Sequence, residues 1–144
     1  MFSKSCKYAI RAVLYLATKS DESNKIGAEE LASELEVPMH FLAKILQQLS
    51  RTRLISSTKG RNGGFYLSDE NKSSTLLGVI ESFEGPGTFT DCVLGLKQCS
   101  NINPCPYHDT VQKYRSTFFL QLQNESIKET AERINQHNFN LKNN

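Results

Sequence analysis

Residues 28–67 carry the clearest fold signal of the chain and read AEELASELEVPMHFLAKILQQLSRTRLISSTKGRNGGFYL. Ala28 to Leu35 and Met39 to about Thr52 both place apolar side chains at helical spacing. Residues 36–38 separate the two segments and predict a tight turn. Two helices joined across such a turn have the outline of a helix-turn-helix.

A β-hairpin is predicted directly after the second of these helices. Leu54 to Ser57 reads as a short strand, Lys59 to Gly64 as a turn with three glycines, and Phe65 to Leu67 as a return strand. A winged helix places such a hairpin beside the DNA backbone or minor groove, where negative potential attracts Arg or Lys. The order of elements therefore predicts a winged helix-turn-helix, with Arg61 at the hairpin tip as a candidate DNA contact.

Further segments flank this stretch on both sides. They are a first helix at about Ser5 to Lys19, a connecting helix at Thr75 to Phe83 capped by Ser74, a long helix at Asp109 to about Asn124, a short helix from Ser126 through Arg133, and a disordered tail from His137 to Asn144. The apolar stripe of the long helix exceeds what one small core needs, which favours a partner.

Polar and basic side chains occupy the surfaces that a winged helix turns toward DNA. His40 and Lys44, near the start of the third helix, are candidates for contacts with base edges, and most of the others for phosphate contacts. The full candidate set is Lys4, Lys7, Arg11, His40, Lys44, Gln47, Arg51, Lys59, Arg61 and Asn62. Two alternatives stay open, because a polar helix face is often only solvated and winged helices also bind proteins.

Three cysteines and a histidine lie close together in an irregular segment: Cys92, Cys99, Cys105 and His108. Six residues separate the first pair, five the second, and two lie between the last cysteine and the histidine. Glycines and prolines punctuate the segment and oppose regular structure, which leaves the backbone free to wrap a cofactor. Iron-sulfur sites favour thiolates on such backbone, and a histidine can replace one thiolate.

Three other interpretations of these cysteines remain. Three thiolates and one imidazole also satisfy a structural zinc ion, although zinc sites more often use two closely spaced pairs. A metal-free thiol switch would couple two of the cysteines by oxidation. Cysteines can also serve only as small buried apolar residues, which suits the lone Cys6 better than a group of three.

Composition limits the class of protein. The 144 residues, 38% of them hydrophobic, predict one core with an appendage. The longest apolar run, Ala12 to Ala17, is far shorter than the roughly 20 residues that cross a bilayer, and we expect no membrane association. Four cysteines without an export signal predict the cytoplasm. No nucleotide loop or nucleophile-and-base set is present, so an enzyme is not predicted, and a redox enzyme or electron carrier is the weaker alternative.

We therefore predict a mainly α fold with a small β hairpin, a winged helix-turn-helix plus a long dimerisation helix. The predicted divisions are a DNA-binding domain with its connecting helix at 1–84, a cofactor-binding loop at 85–108, the dimerisation helix and a short C-terminal helix at 109–136, and the tail at 137–144.

Three motifs resemble one known family over nearly the whole chain. They are Lys7-Tyr8-Ala9-Ile10-Arg11-Ala12, Pro38-Met39-His40-Phe41-Leu42, and Gly60-Arg61-Asn62-Gly63-Gly64-Phe65-Tyr66-Leu67. They look like the BadM-type winged-helix regulators, which include the iron-sulfur cluster regulators IscR and NsrR. The resemblance implies a homodimer on near-palindromic double-stranded operator DNA, a repressor among its roles, and cluster-assembly proteins as further partners.

The resemblance also implies a ligand set. Cys92, Cys99 and Cys105 match the three thiolates of the family, and His108 matches the histidine of the IscR-like members. NsrR-like members take a carboxylate from the first helix of the partner subunit, where this chain has Lys7, so His108 is favoured. The first cysteine spacing is one residue longer than in IscR-like members, which leaves a 2Fe-2S and a 4Fe-4S cluster both open.

Overall fold

The first helix, α1 (Lys4–Lys19), lies at the centre of the computed structural model, which describes residues 1–142. The elements after it are α2 (Ala28–Leu35), α3 (Met39–Arg51), β1 (Ser56–Thr58), β2 (Gly64–Tyr66), α4 (Asp69–Ser73), α5 (Leu76–Glu84), a 3-10 turn (Pro86–Phe89), α6 (His108–Asn124) and α7 (Ile127–His137). Helix α1 packs against α3, α5 and α7. The core therefore forms around a helix from the beginning of the chain.

Helix α1 begins where Ser3 caps it. The Ser3 hydroxyl accepts a hydrogen bond from the Cys6 backbone N–H at 3.1 Å, which satisfies a donor that the first helical turn leaves free. Val13 and Leu16 are fully buried at helical spacing, whereas Lys4 and Lys7 stay exposed. The predicted start at Ser5 is thus one residue late.

The helix-turn-helix is built from α2 and α3. Glu36, the residue directly after α2, adopts the left-handed conformation (φ 55°), and the Val37 N–H then donates to the Ala32 carbonyl. Pro38 precedes α3 in extended backbone. The apolar face of α3 is buried through Leu42, Ile45, Leu46 and Leu49. Because this face is buried, the opposite, polar face of α3 points to solvent.

The wing is the antiparallel pair β1 and β2, with Ser56 opposite Tyr66 and Thr58 opposite Gly64. Ile26 joins the pair through two backbone hydrogen bonds with Phe65, at 2.9 and 2.8 Å. A side chain at position 64 would place its Cβ 2.9 Å from the Ile26 carbonyl oxygen, so the close approach requires glycine.

Two short features differ from the sequence prediction. The first strand begins at Ser56 and not at Leu54, because the chain leaves α3 through Arg53 in the left-handed region (φ 59°). Helix α4 was not predicted. Ser68 and Asn71 form its capping box, with Asn in place of the usual Glu or Gln, so the sequence signal is weak.

The C-terminal part returns to the core. Thr75, not Ser74, occupies the N-cap position of α5 and makes no side-chain capping bond there, whereas Ser126 caps α7 through a capping box with Glu129, as expected of Ser126. Helix α7 runs to His137, beyond the predicted end at Arg133, and packs along α1. No helix within residues 1–142 is long and apolar enough to span a bilayer.

The tail differs from the predicted disorder. The Phe139 N–H donates to the Ile134 carbonyl at 3.0 Å, and half-buried Leu141 packs against the core. The Arg11 Nε donates to the Leu141 carbonyl at 2.7 Å. The tail is therefore placed through Lys142, and residues 143 and 144 of the predicted tail lie outside the described residues.

Candidate metal centre and nucleic-acid interface

The three loop cysteines meet between the 3-10 turn and α6. Their Sγ atoms all lie within 4.8 Å of one another, and the Cys92 and Cys105 sulfurs are 3.7 Å apart. Each of the three side chains is half-buried, and no disulfide joins them. The structure thus brings together three sulfurs separated by up to 13 residues in sequence.

Short backbone turns produce this convergence. The Gly95 N–H donates to the Cys92 carbonyl at 2.9 Å, and glycine supplies the positive φ of 70° that this turn needs. The Cys99 N–H donates to the Leu96 carbonyl, and the His108 N–H donates to the Cys105 carbonyl. Each cysteine therefore begins or ends a turn that the local sequence can form.

His108 completes the predicted set. It is the first residue of α6, and its Nδ1 lies 3.2 Å from the Cys99 Sγ. Its Nε2 lies 2.9 Å from the Oδ1 of Asn101. Among the three sulfurs, His108 therefore contacts that of Cys99, and it lies outside the group of ligand atoms that are all within 4.8 Å of one another.

The sulfurs differ in their affinity for protons. Backbone N–H groups of Leu96 and Leu94 lower the pKa of Cys92 to about 7, with help from the two other thiols. The Cys105 N–H donates to the Cys99 Sγ and favours its thiolate, but desolvation and the neighbouring sulfurs outweigh this bond and raise the pKa of Cys99. The surroundings of the two sulfurs therefore favour a thiolate at Cys92 over one at Cys99.

The donor set suits a metal centre. Two thiolates bound at about 2.3 Å to one tetrahedral metal atom lie about 3.8 Å apart, close to the 3.7 Å between Cys92 and Cys105. A cationic metal atom also removes the repulsion that opposes several thiolates. The three cysteines therefore fit an iron-sulfur cluster or a zinc ion on chemistry and spacing, and His108 is a fourth donor of suitable type beside Cys99.

Two neighbouring residues were missed from sequence. Asn101 lies behind His108, and nothing in its own sequence context marks it. Arg115 follows His108 by two helical turns, so both face a cavity of about 580 Å³ between the loop and α6. A guanidinium Nη1 donates to the Asp91 carbonyl, which anchors the loop beside Cys92.

An aromatic group connects the loop to the rest of the chain. Phe89, three residues before Cys92, lies 5.4 Å from Phe119 and 6.1 Å from Phe118 between ring centroids. Phe2, next to the start of α1, lies 6.5 Å from Phe89. The start of the loop is therefore packed against α6 and against the segment just before α1.

Helix α5 provides a second connection, from the loop to α3. The Gln48 Nε2 donates to the Ser82 carbonyl at 2.9 Å, and the Ser3 N–H donates to the Glu84 Oε1 at 2.7 Å. The loop begins immediately after Glu84, at Gly85. The last turn of α5 thus contacts α3, the start of α1 and the loop at once.

Cys6 has a different environment from the loop cysteines. It is fully buried in the core, and desolvation together with Glu84 raises the pKa of its thiol to about 12. This thiol stays protonated and unreactive at neutral pH. It acts as a small apolar core residue and is not part of the loop group.

The predicted DNA contacts fall into two groups. The exposed ones are Lys4, Lys7, His40, Lys44, Gln47, Arg51, Lys59, Arg61 and Asn62. Arg11 is the exception, because its half-buried guanidinium donates to the carbonyls of Leu35 and Leu141 at 2.6 and 2.7 Å and lies over the Tyr8 ring. The Arg11 guanidinium is therefore engaged by hydrogen bonds within the chain.

The α2-turn-α3 unit and the wing beside it define a winged-helix protein. The chain belongs to the Rrf2 family, since residues 2–133 match the family model described as "Iron-dependent Transcriptional regulator". It is 32% identical over 141 residues, covering 96% of both chains, to a protein of Aquifex aeolicus named as an HTH-type transcriptional regulator.

Two solved structures share this fold. CymR of B. subtilis, described as its global cysteine regulator, has a TM-score of 0.74 at 19% identity and covers 92% of this chain and 97% of its own. IscR of T. potens has a TM-score of 0.70 at 16% identity, covering 95% and 90%. These findings confirm the fold class and the family resemblance. They also confirm that the chain is a transcription regulator, whose partner is DNA, and not an enzyme.

Proposed function

We propose that this chain is a cytoplasmic, dimeric operator-binding regulator whose DNA affinity is set by an iron-sulfur cluster on the Cys92, Cys99, Cys105 and His108 loop. The observation that carries the proposal is the convergence of three sulfurs within 4.8 Å on a loop attached to a winged helix. The family description as iron-dependent supports it.

The proposed DNA surface consists of the polar face of α3, the wing tip and the start of α1. His40 and Lys44 reach base edges in the major groove, and the remaining exposed cations contact phosphates. Arg11 is left out, because its guanidinium is engaged by two carbonyls. In a two-fold dimer, the two α3 helices enter successive major grooves about 34 Å apart on a palindrome.

The proposed dimer contact is α6. Leu122 is buried in this 17-residue helix, whereas Tyr114 is 59% exposed and Leu120 is 54% exposed. Half-buried Phe118 and Phe119 extend the apolar surface. Large exposed apolar side chains along one long helix favour a second copy of the chain as partner.

The thiolates and His108 would hold the cluster, and cluster-assembly proteins would supply it. When bound, the cluster would supply one-electron redox chemistry, and both the 2Fe-2S and the 4Fe-4S form remain within the proposal. The chain's own part is to orient the four ligands and to couple the loop to DNA. Phe89 and the last turn of α5 provide that coupling, because they contact α1, α3 and α6.

A metal-free thiol switch is the second candidate, favoured by one contact. The Cys92 and Cys105 sulfurs lie 3.7 Å apart, and the pKa of Cys92 is lowered to about 7. An oxidant could therefore take two electrons from this pair as a disulfide forms. Such a regulator would respond to oxidant without bound iron. A regulator with a structural zinc ion would respond neither to oxidant nor to iron.

Tyr114→Glu together with Leu120→Glu is expected to convert the dimer to a monomer. Two carboxylates would have to be desolvated in the apolar contact. Sedimentation velocity measures the change in mass. Phe139→Glu is the matched control, since Phe139 is 65% exposed but lies in the tail away from α6. A double variant that stays dimeric would exclude the exposed apolar side chains of α6 as the contact.

Loaded and metal-free protein are expected to differ at least about 5-fold in affinity for an operator selected from random DNA. Couplings between two sites in one protein are typically about 5-fold to 150-fold. Fluorescence anisotropy at one salt concentration measures both Kd values, since salt alone changes such affinities. Equal values for the two forms would contradict control by the cluster, and equal affinity for operator and random DNA would contradict a specific regulator.

A further inference from the structure

The structure places an amide directly behind the imidazole of the ligand set. His108 presents Nδ1 to the Cys99 Sγ at 3.2 Å and Nε2 to the Asn101 Oδ1 at 2.9 Å. The two ring nitrogens therefore have different tasks. Since Oδ1 can only accept a hydrogen bond, Nε2 carries the ring proton in this arrangement and Nδ1 keeps its lone pair.

A tight turn holds Asn101 in place. The Ser100 N–H donates to the Asn103 carbonyl at 3.2 Å, and the Asn103 N–H donates to the Ser100 Oγ at the same distance. The turn lies between Cys99 and Cys105, so the amide moves with the sulfurs. The His108 end of the contact is fixed by the first turn of α6.

We infer that Asn101 is a positioning residue, which fixes the His108 tautomer so that Nδ1 is free to bind at the sulfur site. The inference rests on the proposed function, in which His108 is a metal ligand. Histidines that bind metals usually donate their other N–H to an acceptor, which orients the ring and strengthens it as a ligand. Asn101 is the residue of this chain in that position.

The tautomer is measurable in the reduced, metal-free full-length chain. Long-range nitrogen-proton NMR distinguishes Nε2–H from Nδ1–H, and the chain's other two histidines, His40 and His137, serve as exposed references. Wild type is expected to show the Nε2–H form at a pH where the ring is neutral. Asn101→Leu is expected to raise the Nδ1–H fraction, because the acceptor that favours a proton on Nε2 is then lost.

Metal affinity gives a second readout, with Co²⁺ alone as the probe. Asn101→Leu is expected to weaken Co²⁺ binding about 10-fold to 100-fold, the usual loss for such partners. Asn101→Asp is expected to restore it, since a carboxylate accepts the same hydrogen bond. The matched controls are Asn103→Leu and Asn103→Asp, which make the same changes in the same turn away from the ring.

Four results would overturn the inference: a wild-type Nδ1–H form, an unchanged tautomer in Asn101→Leu, Co²⁺ affinity unchanged in that variant, or equal losses at positions 101 and 103. Failure of the proposed function is distinguishable from these. A wild type that takes up neither Co²⁺ nor iron and sulfide would overturn the metal-site proposal, whereas the NMR result would still decide what Asn101 does to His108.

Discussion

Replacing Cys105 by alanine is expected to abolish the uptake of iron and acid-labile sulfide. The Cys105 sulfur lies 3.7 Å from that of Cys92, and the Cys105 N–H also donates to the Cys99 sulfur. Its loss leaves two thiolates and one imidazole, one ligand short of a four-ligand site. Anaerobic purification of both proteins, followed by a visible absorption spectrum and analysis of iron, sulfide and zinc, measures the effect.

Cys6→Ala is the control for this experiment. Cys6 is fully buried in the core and separate from the loop group, so the variant is expected to keep the wild-type ratio of iron to protein. Iron and sulfide retained in Cys105→Ala would remove Cys105 from the ligand set. Zinc alone in the wild type, or no metal, would replace the cluster proposal by a structural zinc site or a thiol switch.

The double variant Lys44→Ala and Arg61→Ala is expected to weaken operator binding roughly 100-fold. Lys44 is exposed near the start of α3, and Arg61 is exposed at the wing tip, so each would lose a separate contact. A good base contact is worth about 1–3 kcal/mol, and each lost phosphate contact lowers the salt slope by about one. Anisotropy titrations at several salt concentrations measure both quantities.

Cofactor content separates the DNA surface from the cysteine site. Lys44 and Arg61 lie outside the loop, so the double variant is expected to load iron and sulfide as the wild type does. Lys128→Ala with Lys142→Ala is the matched control, because it removes two exposed cations from α7 and the tail. Equal loss of DNA affinity in the control would mean that only overall charge matters. Loss of iron and sulfide in the Lys44→Ala and Arg61→Ala variant would contradict separate DNA-binding and cofactor-binding surfaces.

Most helices and the wing could be predicted from sequence, because local patterns specify them. Ala28–Leu35 was predicted with its bounds, and all the other α-helices except α4 present at least part of an apolar stripe to the core. The start of the first strand was predicted two residues too early, and helix α4 was not predicted. Each difference has a local reason. Arg53 enters the left-handed region, where glycine is the usual signal, and Asn71 stands where a capping box usually has Glu or Gln.

The candidate ligands were also predictable, but their surroundings were not. Cysteine and histidine are common metal ligands, so Cys92, Cys99, Cys105 and His108 could be chosen as candidates from residue type and closeness in sequence, and the family resemblance implied the same set. Asn101 and Arg115 carry no such signal, since amides and guanidinium groups occur on every protein surface. Their roles follow from contacts with His108 and with the backbone before Cys92.

The sequence by itself determined the winged helix-turn-helix and the chemical nature of the loop, because apolar periodicity and ligand type are local properties. Tertiary structure decided how the three sulfurs meet, and how the imidazole comes to lie beside Cys99. It decided that the Arg11 guanidinium donates to two carbonyls within the chain. It also decided that the tail packs on the core through Leu141. These outcomes depend on residues up to 130 positions apart, and no local pattern encodes such contacts.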